Sequence, residues 1–178
     1  MKLRRVTIMS IFAGVLGTIG LSACATQQTT IPTVTDVDLE RFAGDWYVIA
    51  NIPTFIETQA YNAVESYAAP EGNRIDTRFT FNEGALDGPQ KTYTPTAFVS
   101  DDSNGLWGMQ FIWPFKAEYR IVHLDPDYQF TIVGRTRRDF VWVMARSPQI
   151  AEADYTYLIE QVSALGYDTS KIRRVPHG

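Results

Sequence analysis

Cysteine and histidine are almost missing from this chain of 178 residues, which has one cysteine, Cys24, and two histidines, His123 and His177. A single cysteine cannot form a disulfide within the chain, and two histidines so far apart do not match the ligand spacing of a zinc site. The sequence also has no Gly-x-Ser-x-Gly turn and no phosphate-binding glycine loop. We therefore predict no metal, no cofactor and no catalytic activity, and we interpret His123 as a structural residue.

Positive charge is scarce as well, because the chain has 16 lysines and arginines against 20 aspartates and glutamates, which gives a formal net charge of -4. Nucleic-acid-binding proteins present a clustered basic face, so this balance argues against such a partner. There is one long apolar run, residues 6–21, and it follows Lys2, Arg4 and Arg5. The run is short and ends in small residues, which is typical of a secretory signal and not of a membrane span.

The end of this leader, Leu21-Ser22-Ala23-Cys24, resembles the lipobox of bacterial lipoproteins. The resemblance implies a lipoprotein signal peptide over residues 1–23 and a palmitate-type lipid on Cys24. Ala25 after the cysteine implies sorting to the outer membrane, and we expect the domain on its periplasmic face. Loss of the three leader cations would take the net charge from -4 to -7. An ordinary signal peptide with an incidental cysteine is the alternative.

After a Thr/Gln-rich stretch, residues 24–36, which we predict to be a lipidated tether, the pattern becomes one of short strands. Turn signals such as Asp125-Pro126-Asp127 separate most of them. The predicted strands are 46–52, 61–69, 74–81, 91–100, 106–113, 117–124, 129–135 and 140–146. Eight strands at near-regular spacing predict an all-β fold, an eight-stranded antiparallel up-and-down barrel whose closure removes the exposed edges. A two-sheet sandwich is the alternative.

A helix is predicted over residues 151–165, where apolar side chains recur at helical spacing and Gly166 suits the position after the last turn. The last strand is apolar on both faces, as required if one face lines the lumen and the other lies under this helix. If Trp142 points inward, Arg146 does too. The Arg146 guanidinium could then lie across the indole of Trp46, which opens the strand-rich region a hundred positions earlier.

Three short motifs resemble those of the lipocalin family in order and spacing. They are Gly44-Asp45-Trp46, Asp125-Pro126-Asp127-Tyr128 and Arg146-Ser147-Pro148. The match covers residues 39–176, so that residues 37–178 are expected to form one lipocalin domain, and it is most similar to bacterial outer-membrane lipocalins related to apolipoprotein D. The resemblance implies a closed barrel end built by Gly44, Trp46, Asp125, Tyr128 and Arg146.

Aromatic residues crowd the later strands, and several share the parity expected for the lumen. The candidate lumen residues are Trp107, Met109, Phe111, Trp113, Tyr119, Phe130, Phe140, Trp142 and Met144. An eight-stranded barrel holds either its own side chains or one small ligand, so these residues either fill a core or line a cavity.

Four cations are expected near the open mouth, where the resemblance places the hairpin loops. They are Lys116, Arg135, Arg137 and Arg138. Such a cluster could contact a phosphate or carboxylate head group. The alternative is a solvated hairpin balanced by Asp139.

We therefore expect a protein that binds, stores or transports hydrophobic ligands in the barrel lumen. Fatty acids and lysophospholipids are the expected partners, because a single acyl chain holds to a membrane only weakly and exchanges readily. The alternative is an envelope structural or interaction protein whose barrel is filled by its own side chains. The sequence is also compatible with a homodimer.

Overall fold

In the computed structural model, which describes residues 31–178, one antiparallel sheet closes on itself. Cys24, the predicted leader and the first part of the predicted tether lie outside the described residues. The strands are β1 (Gly44–Ile52), β2 (Ala60–Tyr67), β3 (Arg74–Glu83), β4 (Gln90–Tyr93), β5 (Thr96–Val99), β6 (Leu106–Ile112), β7 (Phe115–Leu124), β8 (Phe130–Gly134), β9 (Val141–Ala145) and β10 (Arg173–Arg174). The helices are α1 (Leu39–Phe42) and α2 (Glu152–Ala164), and a short 3-10 helix spans Thr169–Lys171.

The wall strands pair in chain order, and β1 also pairs with β9, which closes the barrel and confirms the predicted fold. The fourth strand, predicted as one piece over 91–100, is divided into β4 and β5 by Thr94 and Pro95. Proline has no N–H to donate to a neighbouring strand, so the ladder breaks there. The Pro95 carbonyl instead accepts hydrogen bonds from the backbone N and the Oγ1 of Thr77, at 3.1 and 2.7 Å.

Helix α2 packs against the outside of the barrel, as predicted. Its buried side chains, Leu158 and Val162, contact a cluster that includes Val141 and Val143 of β9. The opposite face of β9 presents Trp142 and Met144 to the interior. The last strand is thus covered on both sides, which explains why both of its faces are apolar.

The C-terminal segment completes the wall where two strands diverge. The first half of β1 pairs with β2, whereas Ala50 and Asn51 of its second half pair with β10. Beyond β10, the Val175 N–H donates to the Ile49 carbonyl and the Asn62 N–H donates to the Pro176 carbonyl, both at 2.9 Å. The chain therefore fills the gap between β1 and β2 with its own backbone.

Residues 31–36, predicted as part of the tether, lie against the barrel. Ile31 is buried in the cluster under α2, and the Val34 N–H donates to the Ile121 carbonyl at 2.9 Å. Val37 is buried and exchanges hydrogen bonds with the side chain of Asn104. The packed part of the chain thus includes residues ahead of the predicted domain start at 37.

Arg146 holds together the segments that form the closed end of the barrel. Its Cζ atom lies 3.9 Å from the centroid of the buried Trp46 ring. The guanidinium donates to the carbonyls of residues 41, 42, 43, 45 and 128 at distances from 2.8 to 3.3 Å. Gly44 has a φ of +96°, and a Cβ there would lie 3.4 Å from Arg146 Nη1, so glycine keeps this turn unstrained.

The loop before β8 supports the same end. The Asp125 carboxylate accepts the backbone N–H groups of Asp127 at 3.1 Å and Gln129 at 2.7 Å. Tyr128, with a φ of +59°, accepts a hydrogen bond on its hydroxyl from the Asp38 N–H at 2.8 Å, and the Arg41 guanidinium lies over its ring. All five residues that the motifs assigned to the closed end are therefore found there.

We expect Arg146→Lys to lower the free energy of unfolding by about 2–4 kcal/mol, although the charge is kept. An ammonium cannot reproduce the planar fork of donors, so several backbone carbonyls of the closed end, some of them partly buried, would lose their donor. Urea denaturation measures the loss. Arg74→Lys, which changes an exposed arginine paired with Asp76 at 2.7 Å, is the matched control and should cost less than about 0.5 kcal/mol. Equal effects of the two substitutions would contradict the assigned role of Arg146.

Candidate functional site

The barrel encloses a cavity of about 490 Å³. This volume lies within the range of sites that hold small molecules, and it excludes a barrel filled by its own side chains. The cavity is lined mainly by apolar and aromatic side chains from the upper halves of the strands and from the loops after β1 and β8. It therefore lies between the closed end, which Trp46 occupies, and the opposite mouth.

Five of the nine predicted lumen residues line this cavity. They are Met109, Phe111, Tyr119, Phe140 and Trp142. Trp107 and Met144 are fully buried but belong to the packed interior and do not line the cavity. Trp113 lies at the tip of the β6–β7 hairpin and is 81% exposed. Phe130 packs in the cluster under α2, because Thr131 and Val133 are the inward residues of β8; the structure thus corrects its placement.

Aromatic rings form the floor of the cavity. Trp107 stacks on Tyr119 with ring centroids 5.4 Å apart, and Tyr119 stacks in turn near Trp142 at 6.2 Å. The hydroxyl groups of Tyr119 and Tyr67 are in hydrogen-bond contact. Burial raises the pKa of both phenols well above its ordinary value, so they stay protonated at physiological pH. Packed rings therefore fill the closed end, and the cavity lies above them.

Glu57, in the loop after β1, is a buried acid that the sequence analysis did not single out. Its Oε1 accepts a hydrogen bond from Trp142 Nε1 at 2.9 Å, and its Oε2 accepts from the N and Oγ1 of Thr54 at 2.8 and 2.9 Å. Burial raises the pKa of this carboxyl, whereas these hydrogen bonds and the nearby Arg173 lower it. Both oxygens of this acid therefore accept hydrogen bonds from groups of the wall.

Glu65, in the middle of β2, is the second acid of the cavity and was also missed. It is 8% exposed, and its Oε2 has no hydrogen-bond partner among the described residues. Burial and, as the smaller cause, the charge of Glu57 together raise the pKa of this carboxyl to about 8. The strand parity of Ala63 and Tyr67, both buried, was the signal that could have placed Glu65 inside.

The four cations that were predicted at the mouth lie in different places in the structure. Arg135 lines the cavity, with Nη1 3.4 Å from Asp139 Oδ2 and with a buried Nε that has no partner among the described residues. Arg137 is largely exposed beside Asp139, and Arg138 donates to the Leu165 carbonyl at 2.7 Å, which ties the hairpin to the end of α2. Lys116 lies on the outer wall instead of at the mouth, with Nζ over the ring of Phe98.

The mouth is rimmed by exposed apolar side chains. Phe55 is 89% exposed on one side, and Ile112, Trp113 and Phe115 are 73%, 81% and 75% exposed on the β6–β7 hairpin. Contiguous apolar surface of this kind marks contacts with membranes or other proteins. Across residues 31–178, no helix is long and apolar enough to cross a bilayer.

The histidines lie away from the cavity. His123 packs edge-on to Tyr157 of α2, and His177 Nε2 is 2.9 Å from the Val48 carbonyl. Burial lowers the pKa of both imidazoles. In the part of the chain that the structure describes, no group of three acidic or histidine side chains is placed to hold a metal ion.

Comparisons with known proteins agree with this geometry. A family model described as a lipocalin-like domain matches residues 37–177. The chain is 29% identical over 160 residues to temperature-induced lipocalin-1 of Arabidopsis thaliana, covering 85% of each chain. It is 23% identical to the outer membrane lipoprotein Blc of Citrobacter freundii, covering 93% and 94%. Insecticyanin of the tobacco hornworm Manduca sexta has the same fold, with a TM-score of 0.65 and 18% identity over 84% and 86%.

We expect Glu65 to make the protein less stable as pH rises. Below about pH 4.5 its carboxyl is protonated in both the folded and the unfolded chain. Between 4.5 and about 8 the unfolded chain releases the proton and the folded chain keeps it, so the free energy of unfolding falls with a limiting slope of about 1.4 kcal/mol per pH unit. Glu65→Gln should therefore gain stability over the wild type across this window.

Urea denaturation at several pH values measures this difference. Glu57 is present in both proteins, and Tyr67 and Tyr119 titrate above the window, so the difference between the two proteins reports Glu65 together with its coupling to Glu57. Glu160→Gln, on the exposed face of α2, is the control and should follow the wild type. A difference between wild type and Glu65→Gln that is constant with pH would contradict a buried, protonated Glu65.

Proposed function

The chain belongs to the lipocalin-like family, and from this premise we propose that it carries a single-chain lipid, a fatty acid or a lysophospholipid, at the bacterial outer membrane. The observation that supports binding most directly is the open, mainly apolar cavity of about 490 Å³. The family is generally one of binding and transport proteins, and we propose no catalytic activity for this chain.

The preference for a single acyl chain follows from the energetics of exchange. Burial in an apolar lumen gains about 0.8 kcal/mol per methylene relative to water but almost nothing relative to a bilayer. A lipid with one chain leaves a membrane readily, whereas a lipid with two chains is held far more tightly. A cavity of this size therefore competes best for single-chain amphiphiles.

The charges of the cavity support one orientation of the ligand. Glu65 lies toward the closed end of the cavity, in register with Trp46. Arg135 is the one cation among the described residues that line the cavity, so an anionic head group at the closed end would be buried without a counter-charge. Arg135 lies toward the mouth and has an Nε without a partner among the described residues. We therefore place an anionic head group beside Arg135, which Asp139 Oδ2 also contacts at 3.4 Å, and the acyl chain below it.

The location at the outer membrane is part of the proposal. It is supported by the lipobox-like Leu21–Cys24 and by the likeness to an outer membrane lipoprotein. The apolar rim of the mouth agrees with it, because Phe55 and Trp113 would enter the headgroup region of a bilayer at little cost. We propose a lipid anchor on Cys24 and a domain on the periplasmic face.

Palmitate should bind saturably, one to one, to the full-length chain carrying Cys24→Ser and should quench Trp142. Ala117→Trp adds an indole to the cavity wall and should weaken binding by about tenfold or more. Ala153→Trp, on the exposed start of α2, is the matched control and should bind like its parent. Fluorescence titration measures all three.

In the same titration, Arg135→Met should weaken palmitate by about tenfold and leave methyl palmitate unchanged, because only the acid carries a charge for the guanidinium. Arg137→Met, on the same hairpin but outside the cavity lining, is the control. Failure of the folded, monodisperse chain to bind any single-chain lipid would favour an envelope structural or interaction protein.

Cys24→Ser should abolish incorporation of labelled palmitate and leave the apolar leader uncleaved, so that the protein leaves the outer-membrane fraction of a bacterial host and stays with the inner membrane. Ala25→Ser keeps the cysteine and should stay membrane-bound. Cell fractionation and radiolabelling measure both effects. Continued labelling of the Cys24→Ser protein would show that the anchor is elsewhere or that none is attached to this cysteine.

A further inference from the structure

The most unusual group in the cavity is the carboxyl of Glu65, because its Oε2 is buried without a hydrogen-bond partner among the described residues. Glu65 is over nine-tenths buried, lines the cavity and pairs in register with Phe79 of β3. It is one inward position above Tyr67, whose ring packs against Trp107 in the closed end. The carboxyl thus lies at the deep end of the cavity, away from Arg135 at the mouth.

Glu57 provides an internal comparison. Both acids line the same cavity, but Glu57 accepts three hydrogen bonds from Thr54 and Trp142, whereas Glu65 Oε2 has no partner among the described residues. A carboxyl retained only to hold the wall together would be expected to have wall partners, as Glu57 has. The contrast indicates that the partner of Glu65 comes from the contents of the cavity.

The chemistry of that partner can be narrowed. A plain hydrocarbon tail would cover Glu65 and leave a polar group unsatisfied, at a substantial cost. An anion at this depth would be buried away from Arg135, the one cation among the described residues that line the cavity. A neutral hydroxyl can both donate to and accept from a carboxyl, and burial keeps the Glu65 pKa at about 8, so the carboxyl is mainly neutral at pH 7.

We propose that Glu65 is a hydrogen-bonding subsite for a hydroxyl group at the buried end of the ligand chain. The preferred ligands are then hydroxylated fatty acids, with the carboxylate beside Arg135 and the distal hydroxyl on Glu65. This inference rests on the proposed function, since it assigns the class of single-chain lipid that the cavity selects. A site built to bond a hydroxyl discriminates strongly against the analogue that lacks it, because the site's own polar group is then left unpaired.

The test compares palmitate with ω-hydroxypalmitate, and laurate and myristate with their ω-hydroxy forms, in titrations of the full-length chain carrying Cys24→Ser. At least one hydroxylated acid should bind about tenfold tighter than its parent. Glu65→Leu should abolish or reverse this preference by tightening palmitate and weakening the hydroxylated acid. Glu65→Gln, whose amide still forms hydrogen bonds, should keep part of the preference. Glu160→Leu replaces an exposed glutamate and should behave like the parent.

Thermal unfolding of each variant checks that the fold is retained, and Glu65→Leu should unfold at a higher temperature than its parent. Equal binding of every hydroxylated acid and its parent would overturn the inference and leave the proposed function intact, as would a preference that survives Glu65→Leu. Tighter binding of hexadecylamine than of any hydroxylated acid would overturn it in favour of a cationic ligand. Failure of all these lipids to bind the folded chain would overturn the proposed function itself.

Discussion

The closed barrel depends on the contact between the Arg146 guanidinium and the indole of Trp46. A sheet of eight strands closes only if its first and last strands meet, and Arg146, just after β9, reaches back to carbonyls of residues 41–45 ahead of and within the start of β1. The Trp46 Nε1 donates to the Phe42 carbonyl at 2.8 Å, so the same turn is held from both sides. One planar cation thereby satisfies backbone acceptors that the turn would otherwise leave unpaired.

This closure divides the interior into two parts with different roles. Below, rings from α1, β1, β2 and β6 pack against one another and leave no space. Above, the wall surrounds the cavity and retains three acids, Glu57, Glu65 and Glu118, among mainly apolar side chains. Stability is therefore concentrated at one end of the barrel, and the other end can keep a polar group that a packed core would not tolerate.

Much of this arrangement could be predicted from the sequence, because period-two alternation and the closed-end motifs are local signals. The parity of Trp142 and Met144 in β9 was readable for this reason. Phe130 was misplaced because parity cannot be carried through the loop before it, where Tyr128 adopts a positive φ and changes the direction of the chain. Whether the lumen is open or filled depends on how side chains from eight strands meet, and no single segment encodes that. Strand parity predicts that Glu65 points inward. Its role in binding could not be predicted, because that role depends on the cavity and on an Oε2 atom that has no partner among the described residues.

The C-terminal segment that fills the gap between β1 and β2 has a consequence for the order of assembly. β1 is the first strand to be synthesised, yet it needs β9 on one edge and β10 on part of the other. Contacts so distant in sequence form slowly, and an unpaired strand edge is a template for aggregation until it is covered. The nascent barrel must therefore remain an open sheet, with β1 incompletely paired, until residues beyond α2 have left the ribosome or the export channel. A holding chaperone that protects the edge of β1 would act on this intermediate and have no surface left to bind once Val175 is in place.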